Sequence, residues 1–291
     1  MIKFVKYILL RIIIVFSVLW LLDFFFTSVY TKTSVVRNKV QYIFKSNTKT
    51  YDYVFLGSSR VQFHINTRFI DSITHKKSLN LGISGQDLSE TFLTLKMLVK
   101  NNFNINQYFI QVDETSFSST RKKEFISSSY FMPYVKNGIV KNHLKENDKD
   151  FYLDYYLPFY RYMNYNPKIG YRELLLTLGN KKRAQEFYIG LHQLIENKKS
   201  NYIFRKNYQN QLLEKIKKFS KKNNLDITFF TSPYYQPKET KEYQYFAKSN
   251  NIFIYIDSLQ SPNNYKDLTH LNYIGARKFT KMLIRDFNLN E

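Results

Sequence analysis

Two short segments carry residue types that together can perform nucleophilic chemistry. Ser59 follows Gly57 at the end of the apolar run 51–56, and Asp267 and His270 lie three residues apart near the carboxyl terminus. A serine hydroxyl becomes a nucleophile when a histidine removes its proton, and an aspartate can fix the tautomer of that histidine. Each motif alone is common in proteins, so a second interpretation of Ser59, as the N-cap of the next helix, stays open.

These residues need a scaffold that brings distant segments together. Short apolar runs predict strands at 51–56, 78–81, 108–112, 227–231 and 253–256. Apolar spacing predicts helices at 88–99, 208–222 and 273–287, and Asp87 and Glu90 form a capping box at the start of the first. The alternation predicts an α/β fold, a flavodoxin-like three-layer sandwich with a mainly parallel sheet of about five strands.

Because chemistry in such sheets lies at the carboxyl ends of the strands, the residues that follow each strand are candidate site residues. Gly82 follows the second strand, and its small size lets a backbone N–H approach a ligand. Arg60 is either a contact to a substrate phosphate or carboxylate or part of a surface salt bridge. Asp113, which we predict to bind substrate together with Arg60, and Glu114 follow the third strand. The alternatives for these two carboxylates are that they bind a cation, orient Arg60 or cap the next element. No spacing of histidines and carboxylates indicates a metal site.

The amino terminus has the composition of a membrane anchor. Residues 7–29 form an apolar run that only Arg11 and Asp23 interrupt, and Lys3 and Lys6 precede it. About 20 apolar residues suffice to cross a bilayer, and the positive-inside rule places the amino terminus in the cytoplasm. We therefore predict a single-pass protein of the cell membrane whose carboxyl-terminal domain is extracytoplasmic. A cleaved signal peptide is the alternative, although no small-residue cleavage site follows Phe26.

The predicted organisation is an anchor over 1–30, a stalk over 31–50 and one domain over 51–291. An insertion of about 114–206 interrupts this domain, is rich in tyrosine and phenylalanine, and is predicted to be mainly helical. The insertion follows a central strand at the edge where ligands bind in such sheets. It therefore either forms a lid over the substrate or only packs against the domain.

Composition excludes several classes of function. The chain has 291 residues and no cysteine, which excludes disulfide scaffolds, thiolate metal sites and cysteine nucleophiles. With 44% hydrophobic residues it has enough apolar material for a packed core. The net charge of +21 is spread along the chain without a nucleic-acid-binding motif, so we predict no nucleic-acid partner. We also predict no cofactor.

The order and placement of these motifs resemble the SGNH (GDSL-like) hydrolase superfamily. The run DLTHLNYIGARKFTKML, which begins at Asp267, is similar to the carboxyl-terminal block of that family. The resemblance implies that Ser59 is the nucleophile, His270 the base and Asp267 its orienting partner. It also implies an oxyanion hole formed by Ser59 and Gly82.

The sequence differs from the family pattern at two positions. Ser58 occupies the place of an aspartate, although serine there is usual in the membrane-tethered branch. The asparagine expected after the third strand is missing, and Gln111 and Asp113 lie in that region. The loss of one oxyanion donor weakens a site by a few kcal/mol at most.

The tethered branch includes the D-alanyl transfer protein and polysaccharide O-acetyltransferase-like proteins. The resemblance therefore implies an acyl transferase or esterase that acts on a cell-envelope polysaccharide, takes an acyl donor and works with a membrane-bound O-acyltransferase. A catalytically inactive binding or assembly component of an envelope-polymer machine is the alternative hypothesis. Nucleic-acid binding, a third hypothesis, has only the net charge in its favour.

Overall fold

The computed structural model of the chain describes residues 1–117, 128–181, 190–192, 202–204, 206 and 208–290. These residues form two units. The first contains the described residues of 1–46 and 127–185, and the second contains those of 47–126 and 186–291. The segments predicted to be anchor and stalk thus share a unit with much of the predicted insertion, which differs from the predicted division at residues 30 and 50.

Thirteen α-helices occur in the described part of the chain. They are α1 (Ile2–Lys32), α2 (Lys39–Lys45), α3 (Ser59–His64), α4 (Thr67–Thr74), α5 (Leu88–Lys100), α6 (Gly138–Asn147), α7 (Phe151–Tyr156), α8 (Tyr160–Asn164), α9 (Asn166–Ile169), α10 (Tyr171–Leu178), α11 (Gln211–Asn223), α12 (Lys241–Ser249) and α13 (Tyr273–Asp286). Short 3-10 helices cover Glu114–Ser116, Ser128–Tyr134 and Pro262–Asn264. Three of the α-helices, α5, α11 and α13, confirm the helices predicted from apolar spacing.

The second unit is built on a parallel sheet of five strands. They are β1 (Thr50–Leu56), β2 (Ser78–Asn80), β3 (Asn104–Gln111), β4 (Ile227–Phe230) and β5 (Ile252–Phe253). Their order is β2-β1-β3-β4-β5, and every neighbouring pair is parallel. This order is one of the two common doubly wound arrangements. The predicted α/β fold with five mainly parallel strands is therefore confirmed.

Helices cover both faces of this sheet. On one face Phe55, Phe109 and Phe230 pack with apolar residues of α3, α4 and α13 into one buried cluster. Alternation along a strand turns Val54 to the opposite face, where α5 lies against β1 and α11 lies against α5. The capping box that starts α5 is present, because the Glu90 N–H donates to Asp87 Oδ1 at 2.8 Å.

The first unit contains α1 and α2 together with α6 to α10. An 18-residue window of α1 has a mean hydropathy of 2.5 and no buried residue, so by length and composition α1 could cross a membrane. The end of α1 differs, since Phe26, Val29 and Tyr30 are buried. In α2 the ring of Phe44 stacks on Tyr134 with 4.0 Å between centroids. The segment predicted to be a stalk is thus packed, because its few apolar residues bury against the insertion.

Candidate active site

Three predicted site residues meet in one chain of hydrogen bonds. The Oγ atom of Ser59 lies 2.8 Å from Nε2 of His270. On the other side of the ring, Nδ1 of His270 lies 3.0 Å from Oδ1 and 3.0 Å from Oδ2 of Asp267. This is the order in which a carboxylate orients a histidine that removes the proton of a serine. The structure thus joins residues that are 211 positions apart in the chain.

A tight turn after β1 presents Ser59. Gly57 has a positive φ of 151°, and a Cβ there would lie 2.7 Å from Val61 Cγ2 and 2.9 Å from Gln111 Cβ. The chain therefore needs glycine to turn from β1 into α3. Ser58, and not Ser59, is the N-cap of α3, since its Oγ accepts the Arg60 N–H at 3.3 Å. The N-cap interpretation of Ser59 is therefore wrong, and its hydroxyl is directed to His270.

The Asp267–His270 turn is organised by the aspartate itself. Oδ1 of Asp267 accepts the backbone N–H groups of Thr269 at 2.9 Å and His270 at 2.8 Å. Burial raises the pKa of Asp267, but the hydrogen bond and charge of His270, together with these two amides, outweigh burial and hold that pKa well below its ordinary value. Asp267 is therefore ionised at neutral pH, as a partner of the His270 Nδ1–H must be.

His64 contributes a contact that sequence reasoning missed. It is fully buried, and its Nε2 accepts the N–H of Leu271, the residue after His270, at 3.0 Å. Burial, followed by the charges of Arg60 and His270, lowers the pKa of His64 well below its ordinary value, so the ring stays neutral. A histidine that bonds to a backbone group 207 positions away leaves no pattern in the sequence.

Arg60 and Asp113 border the site, but each already has a partner. Arg60 is 4% exposed and forms an ion pair with Asp113, and it also donates to the carbonyl of Ser232. The guanidinium carbon lies 3.7 Å from the ring centroid of Tyr234. The structure therefore shows Asp113 in the role of a carboxylate that orients Arg60. The salt bridge is buried and not a surface pair.

Two tyrosines that the sequence analysis did not single out complete the polar network. Tyr202 and Tyr234 both donate to the carboxylate of Glu114, the latter at 2.5 Å. Burial and the adjacent Asp113 raise the pKa of Glu114 despite these hydrogen bonds. Tyr234 follows β4, so the rule of strand exits indicated its region. Tyr202 lies in the predicted insertion, and that segment therefore supplies a residue to the site.

Gly82 does not present its N–H to the site. That N–H donates to Oδ1 of Asn80 at 3.0 Å, and a Cβ on Gly82 would lie 2.5 Å from the Gln62 nitrogen of α3. Position 82 therefore requires glycine, because a side chain there would collide with the backbone of α3. Gly85, with a φ of 81°, is the glycine of this loop that borders the site.

These side chains surround a cavity of about 180 Å³. It is lined by Ser58, Ser59, Arg60, Gly85, Gln86, Asp113, Thr115, Tyr202, Tyr234, Thr269 and His270. No hydrogen bond within the described residues uses the backbone N–H of Ser59 or of Gly85. Among the residues that the structure describes, no cluster of three or more histidine and carboxylate side chains could hold a metal ion.

The side-chain amide of Gln111 bridges Ser58 and Asp113. Gln111, at the end of β3, accepts the Ser58 hydroxyl at 3.1 Å and donates to Asp113 at 2.6 Å. Its amide is thus used within the protein.

No protein-family model matches the chain, and no curated protein is similar to it at a significant level.

Proposed function

We propose that this chain is a membrane-anchored serine acyl transferase or esterase that acts on a cell-envelope polysaccharide outside the cytoplasm. The observation that carries the proposal is the hydrogen-bonded series Ser59, His270 and Asp267 at the carboxyl edge of the sheet. The resemblance to the SGNH superfamily supports the same roles. The polysaccharide, the acyl donor and a membrane-bound O-acyltransferase partner are inferred from that resemblance alone.

The proposed reaction has two halves. His270 takes the Ser59 proton as Oγ attacks the carbonyl carbon of an acyl ester, and the tetrahedral intermediate then expels the alcohol, which receives that proton. The products of this half are the free alcohol and an acyl-serine. In the second half His270 deprotonates a sugar hydroxyl or water, which attacks the acyl-serine. The proton then returns to Ser59, and the new ester or free acid leaves.

Both halves develop negative charge on the acyl oxygen. We propose the backbone N–H groups of Ser59 and Gly85 as its donors, because both residues line the cavity and neither N–H has another acceptor among the described residues. One such donor is worth about 3–4 kcal/mol in related sites. The cavity of about 180 Å³ favours a short acyl group, since pockets for larger ligands start at about 300 Å³.

The test is hydrolysis of an activated aryl acetate by the full chain in detergent. Ser59→Ala and His270→Ala should each lower kcat by about 10⁴-fold or to the uncatalysed rate, because such residues act as one unit. Ser249→Ala changes a serine on the exposed end of α12 and should leave the rate unchanged. A fluorophosphonate should label Ser59 in the wild type and in Ser249→Ala. Activity that persists in Ser59→Ala would contradict the assignment.

One specific observation favours the second candidate, an inactive binding or assembly component. The amide of Gln111 and the N–H of Gly82 are both engaged within the protein, so two groups in the regions expected to supply oxyanion donors are occupied. This hypothesis predicts a folded protein that binds envelope polysaccharide but neither hydrolyses the aryl acetate nor reacts with the fluorophosphonate. Binding equal in wild type and Ser59→Ala would then support it.

A further inference from the structure

The carboxyl-terminal part of α1 is held to the helices of the first unit by a partly buried charge pair. Asp23 accepts the N–H of Phe159 at 2.9 Å and the Nη2 of Arg161 at 2.7 Å. Arg161 also donates to the hydroxyl of Thr27 at 2.9 Å. The start of α8 therefore lies against the last part of the apolar stretch of α1. An aspartate in an apolar helix is thus paired with an arginine of the same unit, whose side chain is 3% exposed.

Beside this junction lies an apolar cavity of about 570 Å³. From α1 it is lined by Leu22, Phe25 and Phe26, and from α8 to α10 by residues that include Met163, Tyr171 and Leu174. Apart from one asparagine amide and two tyrosine hydroxyls, the described side chains that line it carry no polar group. Its volume is in the range of pockets that hold small organic ligands.

The rim of this cavity is exposed and apolar. Phe25 on α1 is 46% exposed, and Met163 and Tyr171 on the opposite side are 52% and 65% exposed. On α10 the apolar surface continues over Leu175 and Leu178, which are also exposed. An exposed apolar surface of this kind marks contact with a membrane or another apolar partner.

We propose that this cavity takes one hydrocarbon chain of a membrane lipid. The rim is continuous with α1, whose apolar side chains from Ile2 to Phe25 are mostly exposed and would face lipid in a bilayer. The inference rests on the proposed membrane anchoring, but not on the acyl-transfer chemistry.

The experiment uses the full chain reconstituted in bilayers that contain a phospholipid with a photoactivatable diazirine on one acyl chain. After irradiation, peptide mass spectrometry should find lipid adducts on α8 to α10, in addition to those on α1. Met163→Trp partly fills the cavity and should lower the α8 to α10 adducts at least about five-fold without changing those on α1. Leu153→Trp is the matched control, because Leu153 is also exposed but does not line the cavity.

The outcomes separate the hypotheses. Adducts on α1 alone would overturn the lipid site while they support the anchor. If α1 carries no adduct, the anchoring itself fails. A photoreactive amino acid at position 163 in native membranes that captures a protein instead of lipid would also overturn the proposal. Ser59→Ala should give the wild-type adduct pattern, so the result does not depend on the proposed catalysis.

Discussion

The Nε2 atom of His64 accepts the N–H of Leu271, which directly follows the proposed base. His64 therefore acts as a positioning residue, because it touches the backbone that carries His270 and does not line the cavity. We expect His64→Phe to lower kcat for the aryl acetate about ten-fold with little change in KM. The loss of the acceptor leaves a buried amide unsatisfied, which should also lower the free energy of unfolding by about 1–3 kcal/mol.

Conservative replacement separates this positioning role from a merely structural one. A glutamine at this site, His64→Gln, has a side-chain oxygen that can accept the Leu271 N–H, so it should recover most of kcat. His192→Phe is the control, since His192 is a described histidine that packs on Tyr273 outside the cavity. If His64→Phe and His64→Gln lose stability and kcat to the same extent, the hydrogen bond to Leu271 does not position His270.

Among the elements, α7 contains a carboxyl group whose charge opposes folding. Asp154 is fully buried, and burial together with the neighbouring Asp148 raises its pKa to about 8. Because the folded pKa lies above the unfolded value of about 3.9, the contribution of Asp154 to stability is complete below about pH 4. It is lost as the pH rises through about 8.

Asp154→Asn mimics the protonated carboxyl at every pH. Relative to wild type, we expect it to raise the free energy of unfolding at pH 9 by more than about 1.4 kcal/mol, the value of one pKa unit. The gain should shrink as the pH falls below about 8 and disappear only below about pH 4. Denaturant titration of the full chain in detergent at several pH values measures this difference. A difference between variant and wild type that does not vary with pH would refute it.

The elements that could be predicted from the sequence are those with a local signal. The apolar run before Gly57 predicted β1, and Asp87 with Glu90 predicted the start of α5. Because β4 and β5 are also short apolar runs, their existence was predicted, although their ends differ by one to three residues. Asp267 and His270 were identified because a separation of three positions lets one turn present both side chains together. The structure shows this turn.

The remaining features depend on contacts between distant segments. Ser58 and Ser59 are both possible N-caps by residue type, and only the observed start of α3 at Ser59 shows that Ser58 is the cap. The local sequence pattern also could not predict the contacts of Gly82. Its N–H donates to Asn80 and its Cα packs on α3, and both contacts depend on how β2 meets α3. The burial of residues 31–46 was missed because their partners, such as Tyr134, lie about 90 residues further along the chain.

The distribution of charge and apolar residues over the whole molecule predicts its orientation in the membrane. Lys3 and Lys6 precede the long apolar stretch of α1. From the positive-inside rule we therefore expect the amino terminus to stay in the cytoplasm and the second unit to lie outside. The proposed substrate, a polymer of the cell envelope, requires the same orientation. Because the chain has no cysteine, single introduced cysteines can report this directly.

We expect a membrane-impermeant maleimide to label Tyr245→Cys, on the exposed surface of α12, in intact protoplasts or spheroplasts. Ile2→Cys, at the start of α1, should react only after the membrane is permeabilised, because the positive-inside rule predicts that this end is cytoplasmic. Wild type supplies the background, since it has no thiol. The opposite labelling pattern would place the proposed active site in the cytoplasm and exclude an envelope polysaccharide as its substrate. A mature chain that lacks the apolar stretch of α1 would instead show that α1 is cleaved as a signal peptide, which would remove the anchor and the lipid cavity together.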